Sequence, residues 1–293
     1  MNALTRFVPQ CAPVVKKDLH RFIDELAGID KLLVLTGAGL STESGIPDYR
    51  SEGVGQYART SNRPITHQEF FKSADRRRRY WARNFVAWPR FSSASCNDSH
   101  HALAELERFG RISWLITQNV DGLHGLAGSE KLTELHGSGR FVVCQSCDER
   151  FSRFDVQNWL HDLNPNWTIR EIGEMAPDGD VEISDSALES FNMPYCPSCG
   201  PDSILKTDVV FFGDNVRRCV VDFCYEKIDE CDGILVLGSS LSVMSGYRFV
   251  YQASLRKLPI LIVNIGPTRA DHLATVKLSA KCSEIVTQII VEA

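Results

Sequence analysis

A short apolar run that stops at two glycines limits how this chain can fold more than any other feature. Leu32-Leu33-Val34-Leu35 ends in Thr36, and Gly37-Ala38-Gly39 follows at once. Such a run predicts a buried strand, and the glycines let its outgoing backbone come close to another group. The pattern recurs. Ile112 to Thr117 runs into Gln118-Asn119-Val120-Asp121-Gly122, Ile234 to Leu237 into Gly238-Ser239-Ser240-Leu241, and Ile260 to Val263 into Asn264-Ile265-Gly266. These runs predict an α/β fold, a Rossmann-like doubly wound parallel sheet with its small and polar strand ends along one edge. Each loop alone is an ordinary strand-to-helix turn. Together they predict a nucleotide crevice, because ligands of open α/β sheets lie outside the carboxyl ends of the strands. The first loop departs from a plain dinucleotide fingerprint. It lacks the third glycine, and Ser41, Thr42, Glu43, Ser44 and Asp48 make it strongly polar.

Between the strands, Lys16 to Ala27 reads as an amphipathic helix, with Leu19, Phe22, Ile23 and Leu26 at helical spacing. The stretch from Gly53 to Phe91 reads as broken helix rich in aromatics and closed by Pro89. A helix is predicted from near His100 to Gly110, another from Arg217 to Asp229, and a last one from Cys282. The sheet pattern is expected to resume at Val209-Val210-Phe211-Phe212-Gly213-Asp214.

Of the ten cysteines, Cys144 and Cys147 form one C-x-x-C pair and Cys196 and Cys199 another. Four thiolates in two such pairs match a closed tetrahedral zinc site, with no position left for substrate. The residues between the pairs include the turn Asp178-Gly179-Asp180 and a short helix from Arg153 to Leu160. A connection this long is expected to be functional, to be disordered, or to hide short helices such as Arg153 to Leu160. The chain is thus divided into a Rossmann-like lobe (14–57, 95–140 and 203–293), a helical insertion (58–94) and a zinc-binding lobe with a long loop (141–202).

Net charge −5 and a pI near 5.9 exclude nucleic-acid binding driven by bulk charge. The basic run Arg76-Arg77-Arg78-Arg79 reads as a solvated helix face. No apolar run approaches the roughly eighteen residues of a membrane span. Met1 to Val15 lacks the layout of a secretory signal, and a presequence for organelle import is not visible. Among the eight histidines, His136 stands out: it follows an apolar run, precedes Gly137 and lies at a lobe boundary. His100, His101 and His124 fall on predicted helices, where packing or solvation is the expectation.

The order of motifs carries a resemblance. G-A-G-x-S-x-x-S-G-I-P-D-Y-R, Q-N-V-D, L-H-G-S, paired C-x-x-C, F-F-G-D, G-S-S-L and N-I-G occur as they do in sirtuins, over nearly the whole chain. S-E-x-V-G-x-Y-A-R-T, R-Y-W-A-R-N-F-V-x-W-P, A-P-D-G-D-V and S-G-Y-R-F resemble the mitochondrial class II members. The resemblance implies an NAD-dependent protein-lysine deacylase with one structural zinc, acting on lipoyl, biotinyl or hydroxymethylglutaryl-type chains. It also implies a mitochondrial matrix location and matrix metabolic enzymes as acyl-lysine substrates. The alternatives are ADP-ribosyl transfer from the same NAD site and an NAD-sensing protein with little turnover.

By match, Gly37, Ala38, Gly39, Ser41, Ile46, Asp48, Tyr49, Arg50 and Tyr57 would surround the pyrophosphate and nicotinamide end of NAD. Gln118, Asn119, Val120 and Asp121 would hold ribose and nicotinamide. Gly238, Ser239, Ser240, Asn264, Ile265, Gly266 and Cys282 would hold the adenosine half. His136 would take a ribose hydroxyl proton, with Asn119 as the second catalytic group. The substrate peptide would pair between Val210-Phe211-Phe212-Gly213 and Leu241-Ser242-Val243. Tyr80 and Arg83 carry the spacing of the tyrosine and arginine that sit in the acyl pocket of the members removing acidic acyl groups, which implies an acidic or branched acyl chain; the alternative is a helix-surface pair. Asp214 stands where many sirtuins have glutamate. The long connection between the cysteine pairs is expected to reach the substrate entrance.

Overall fold

The computed structural model describes residues 6–60, 63–169, 173, 175–183, 188 and 190–292. The chain runs α1 (Lys16–Ala27), β1 (Leu32–Thr36), a 3-10 segment (Ala38–Ser44), α2 (Gln56–Arg59), α3 (His67–Lys72), α4 (Ala74–Ser92), α5 (Asp98–Arg108), β2 (Ile112–Thr117), α6 (Leu123–Leu126) and β3 (Leu132–Glu134). It continues through β4 (Gly137–Cys144), β5 (Arg150–Ser152), α7 (Arg153–Leu163), β6 (Leu205–Val209), α8 (Arg218–Glu230), β7 (Gly233–Leu237), α9 (Met244–Leu255), β8 (Ile260–Val263), β9 (Val276–Leu278) and α10 (Cys282–Glu292).

The six-stranded sheet has the order β3-β2-β1-β7-β8-β9, and every neighbouring pair is parallel. The predicted doubly wound parallel sheet is therefore present. β1 is buried at all five residues, and its period of two divides the core. Leu32 and Val34 pack with Phe22, Leu103, Leu106 and Val286 of α1, α5 and α10. Leu33 and Leu35 pack with Cys224, Ile228, Phe249 and Val250 of α8 and α9. Because β2 flanks β1 on one side and β7 on the other, the strand order reverses there. A crevice opens at such a reversal.

Val210-Phe211-Phe212 does not rejoin this sheet, contrary to the sequence expectation. The strand is β6, and it pairs antiparallel with β4 in a second sheet of order β5-β4-β6. Of the apolar residues that follow β6, Phe211 is buried, and it is covered by aromatic packing. Phe211 meets Phe70 with ring centroids 5.3 Å apart and Tyr80 at 5.2 Å.

Pro89 does not close the preceding helix either; α4 continues through it to Ser92. A proline lacks the N–H that would bond the carbonyl four residues back, here that of Phe85. The Gln157 side chain of α7 supplies the missing donor, Nε2 to Phe85 O at 3.0 Å. α5 starts two residues ahead of His100, because the Asn97 side chain accepts from the N–H groups of Ser99 and His100 and so caps the helix.

Candidate active site

A cavity of about 1190 Å³ lies along the carboxyl ends of β1, β2, β7 and β8. Gly37, Ala38, Gly39, Gln118, Asn119, Gly238, Ser239, Ser240, Asn264, Ile265 and Gly266 all line it. The glycines are required by contact as well as by turn geometry. A Cβ on Gly39 would lie 2.8 Å from Gly238 O and 3.0 Å from Gly238 Cα, both backbone atoms with no way to yield. Gly238 has φ +59, and a Cβ there would lie 2.4 Å from the Leu40 nitrogen. The two loops thus cross at backbone-to-backbone distance and leave an open cradle beside them. That cradle fits a pyrophosphate approached by main-chain groups.

The polar floor is a network of buried groups. Ser41 Oγ donates to Asp121 Oδ2 at 2.7 Å and accepts from Asn119 Nδ2 at 3.0 Å, and Asn119 Nδ2 also reaches Gly37 O at 3.1 Å. Asp121 Oδ1 accepts the Leu123 N–H at 2.9 Å. Burial pushes the Asp121 carboxyl up, against hydrogen bonds from Leu123 and Ser41 that pull it down. Gln118 Nε2 donates to Thr36 O and to Ser239 Oγ, tying three strand ends together. Asp48 accepts from the backbone of Arg50 and Ser51 and from Ser51 Oγ, so it builds the turn that presents Tyr49 and Arg50. Asn264 likewise donates to the carbonyls of Ile265 and Gly266, shaping its own loop.

His136 lies on the cavity wall, and two contacts fix its tautomer. Nδ1 is 2.9 Å from Gln118 O, a carbonyl that only accepts, so Nδ1 carries the proton of the neutral ring. Nε2 is then the basic nitrogen, and the Ser245 hydroxyl, 2.8 Å away, donates to it. Burial lowers the His136 pKa, with the Gln118 bond opposing, so the ring is neutral and able to accept a proton at neutral pH. Ser245 was not legible beforehand. It opens the S-G-Y-R-F motif, which carried no role at the site by itself; the role appears only because the start of α9 brings the hydroxyl to His136.

Ile46, Asp48, Tyr49, Arg50, Val120, Asp121 and Cys282 also line the cavity, as do Tyr80, Val210, Phe211, Gly213 and Val243. Burial pushes the Cys282 thiol up to about 12, which leaves it uncharged. Two predicted site residues are not among the lining groups. Tyr57 packs against Tyr49, its ring covered by the guanidinium groups of Arg50 at 5.4 Å and Arg63 at 4.5 Å. Arg83 is taken up by the connection between the cysteine pairs, with Nη2 2.7 Å from Asp180 Oδ2. The predicted pair is thus split: Tyr80 faces the cavity with its hydroxyl 2.5 Å from Thr207 Oγ1, and Arg83 is already matched by a carboxylate.

The carbonyls of Phe211, Phe212 and Gly213 each already accept a bond, from Asp214 N, His67 N and Gln68 Nε2. Val210 N donates to His136 O at 2.8 Å, joining this segment to the histidine. The long connection between the cysteine pairs reaches the cavity as expected, through Pro177, Asp178 and Asp180, whereas sequence reasoning missed Arg6, Val8, Pro9 and Gln10 of the N-terminal segment, which also line it. Residues 170–172, 174, 184–187 and 189 of that connection, and Met1 to Thr5, lie outside the described residues.

The sulfur atoms of Cys144, Cys147, Cys196 and Cys199 lie within 4.8 Å of one another. Cys144 to Cys199 is 3.9 Å and Cys147 to Cys196 is 3.8 Å. With Zn–S bonds of about 2.3 Å, the edge of a tetrahedron is roughly 3.8 Å, so the four thiols fit zinc and leave no open position.

The Sir2 family description matches residues 37–245. "NAD-dependent protein deacylase sir-2.2" of Caenorhabditis elegans is 52% identical over 97% of this chain and 99% of its own length. "NAD-dependent protein lipoamidase sirtuin-4, mitochondrial" of Homo sapiens is 52% identical over 97% of this chain and 89% of its own. Among solved structures, "Sir2-p53 peptide-NAD+" superposes with a TM-score of 0.73 at 27% identity, covering 94% of this chain and 98% of that one.

Proposed function

The chain belongs to the Sir2 family, and on that premise we propose that it removes acyl groups from protein lysines using NAD. The products would be nicotinamide, free lysine and 2′-O-acyl-ADP-ribose. One observation carries the reading: a neutral His136 sits on the wall of the strand-end crevice with Nε2 as its basic nitrogen, opposite a glycine cradle suited to a pyrophosphate. When bound, NAD supplies a ribose carbon whose bond to a cationic nicotinamide breaks readily.

The residues of this chain do the rest. Gly37, Gly39 and Gly238 let main chain approach the diphosphate, and Gly238 to Ser240 with Asn264 to Gly266 take the adenosine half. Asn119 fixes Gly37 and Ser41, and so the loop that carries Ile46 to Arg50 around the leaving nicotinamide. His136 Nε2 takes the proton of a ribose hydroxyl, while the Nδ1 bond to Gln118 keeps the ring turned and spreads the positive charge it gains. The acyl-lysine peptide lies between Val210–Gly213 and Leu241–Val243. The zinc ties the turn before β5 to the turn before β6 and takes no part in the chemistry.

Lipoyl, biotinyl and hydroxymethylglutaryl chains are the proposed acyl groups. We place the protein in the mitochondrion, a location supported by the human relative's name, and take metabolic enzymes of the matrix as its substrates by resemblance; subcellular fractionation tests the location. A panel of acylated peptides incubated with NAD and read by mass spectrometry tests the activity. Free lysine with 2′-O-acyl-ADP-ribose is expected. Nicotinamide release with ADP-ribose attached to protein and no free lysine would favour the transferase alternative and refute this one. His136→Ala should lower turnover by about 10²–10⁴-fold, the contribution of a positioned base, while NAD still binds.

A further inference from the structure

The segment ahead of α1 is pinned at two points. Phe7 is 2% exposed, and Val14 packs against the core that holds Phe22 and Leu26 of α1. Between these anchors the chain forms no helix or strand, and Pro9 and Pro13 fix φ where they stand and carry no N–H to pair. Such a stretch spans its anchors as a stiff strap. Val8, Pro9 and Gln10 of the strap lie on the wall of the crevice.

The seat of Phe7 is the end of α2. Its ring centroid lies 4.7 Å from the Arg59 guanidinium carbon, within the range of a cation–π contact, and 5.4 Å from that of Arg6. Arg59 Nε donates to Val54 O at 2.8 Å, and Gly53 and Val54 line the crevice. The same loop is closed by Gly55 N to Ser51 O at 2.8 Å, Gln56 N to Asp48 O at 2.8 Å and Tyr57 N to Tyr49 O at 3.0 Å. Arg59 therefore joins Phe7 to the loop that presents Tyr49 and Arg50. One aromatic side chain holds the strap and, through Arg59, braces that loop. His136, Asn119 and Ser41 stand on other segments.

We propose that Phe7 is a positioning residue for NAD: it seats the N-terminal segment so that Val8, Pro9 and Gln10 join the loop from Asp48 to Tyr57 in one wall of the cofactor crevice. This rests on the reading of the crevice as the NAD site. NAD binds in full only when the wall is seated, so its apparent affinity falls with the fraction of molecules in which the segment stays in place. Loss of a buried phenyl ring is enough to lower that fraction to about a tenth. Saturating NAD reseats the segment and leaves the reacting groups where they were.

Steady-state kinetics of F7A on an acyl-lysine peptide test this, with NAD affinity measured directly by calorimetry. The KM and Kd for NAD should rise about tenfold, while kcat at saturating NAD and the KM for the peptide stay within about twofold. F7L, which buries a similar apolar area, should recover most of the affinity. An unchanged NAD affinity would overturn the proposal, as would a fall in kcat with NAD affinity intact or an F7L no better than F7A. A second measurement uses the wild-type chain and does not depend on the variant folding. By linkage, NAD must hold the segment as strongly as the segment holds NAD, so amide hydrogen exchange at Val8 and Gln10 should slow at least about tenfold when NAD is added. Exchange that bound NAD leaves unmoved would equally overturn the proposal. Failure of the wild type to bind NAD at all would count against the reading of the crevice instead.

Discussion

His100 and His124 form a buried pair whose pH response can be worked out from contacts. They are 0% and 1% exposed, with ring centroids 4.9 Å apart. Thr36 Oγ1 donates to Thr117 Oγ1, so His124 Nε2, 3.0 Å from Thr36 Oγ1, is the donor there and the ring is neutral. His100 Nδ1 lies 2.9 Å from Asn97 Oδ1, an oxygen that only accepts, so Nδ1 carries the proton of the neutral ring. His124 Nδ1 and His100 Nε2 have no partner, so a proton added to either ring would create a buried cation with an unmatched N–H. Burial pushes His124 down to about 3, and burial followed by repulsion from His124 and His101 pushes His100 down to about 2, both from an ordinary value of 6.5. A group whose folded pKa is depressed contributes stability in full above its unfolded pKa and loses it as pH falls below that value. At about pH 5 the loss is roughly 1.5 units at 1.36 kcal/mol each, or about 2 kcal/mol per histidine and about 4 kcal/mol for the pair. Urea unfolding of the wild type and of H100Q/H124Q between about pH 7.5 and 5 isolates this effect, since every other titrating group is common to both. The wild type should lose about 4 kcal/mol more than the variant over that range. A difference that stays level would show that the two rings titrate alike in the folded and unfolded chain, and the reasoning would be wrong.

Other substitutions probe the site and its frame. Gly39→Ala sets a Cβ 2.8 Å from Gly238 O, so it should cost about 1–3 kcal/mol of overpacking and weaken NAD binding, measured by calorimetry. Cys196→Ser, or treatment with a strong chelator, should abolish zinc stoichiometry by atomic absorption and lower Tm, because the turns before β5 and β6 lose their common tie. Gln157→Leu leaves Phe85 O unpaired above Pro89 and should destabilise the chain by about 1–3 kcal/mol in denaturant titration; an unchanged midpoint would mean that the carbonyl finds another donor.

The elements that build the crevice were largely legible, for a local reason. β1, β2, β7 and β8 are continuous apolar runs of strand length, and period and composition act over a few residues. Glycine or a small polar group at each exit announced the sheet edge, and two C-x-x-C pairs announced the zinc ligands. Where local reading failed, a distant partner had altered the outcome. Pro89 stays helical because Gln157, in another helix, takes the orphaned carbonyl. Val209 joins the small sheet because Gly137 of β4 lies opposite it.

The sequence by itself determined that this chain makes a parallel sheet with a nucleotide edge and a four-thiol metal site, because each follows from residue type and short spacing. Only the tertiary structure decided which nitrogen of His136 is the base. That depends on Gln118 on one side and on Ser245, 109 residues away, on the other. It also decided that Arg83 meets Asp180 and not the cavity. Protonation state and charge pairing are properties of contacts between distant residues, and such contacts exist only once the chain has folded.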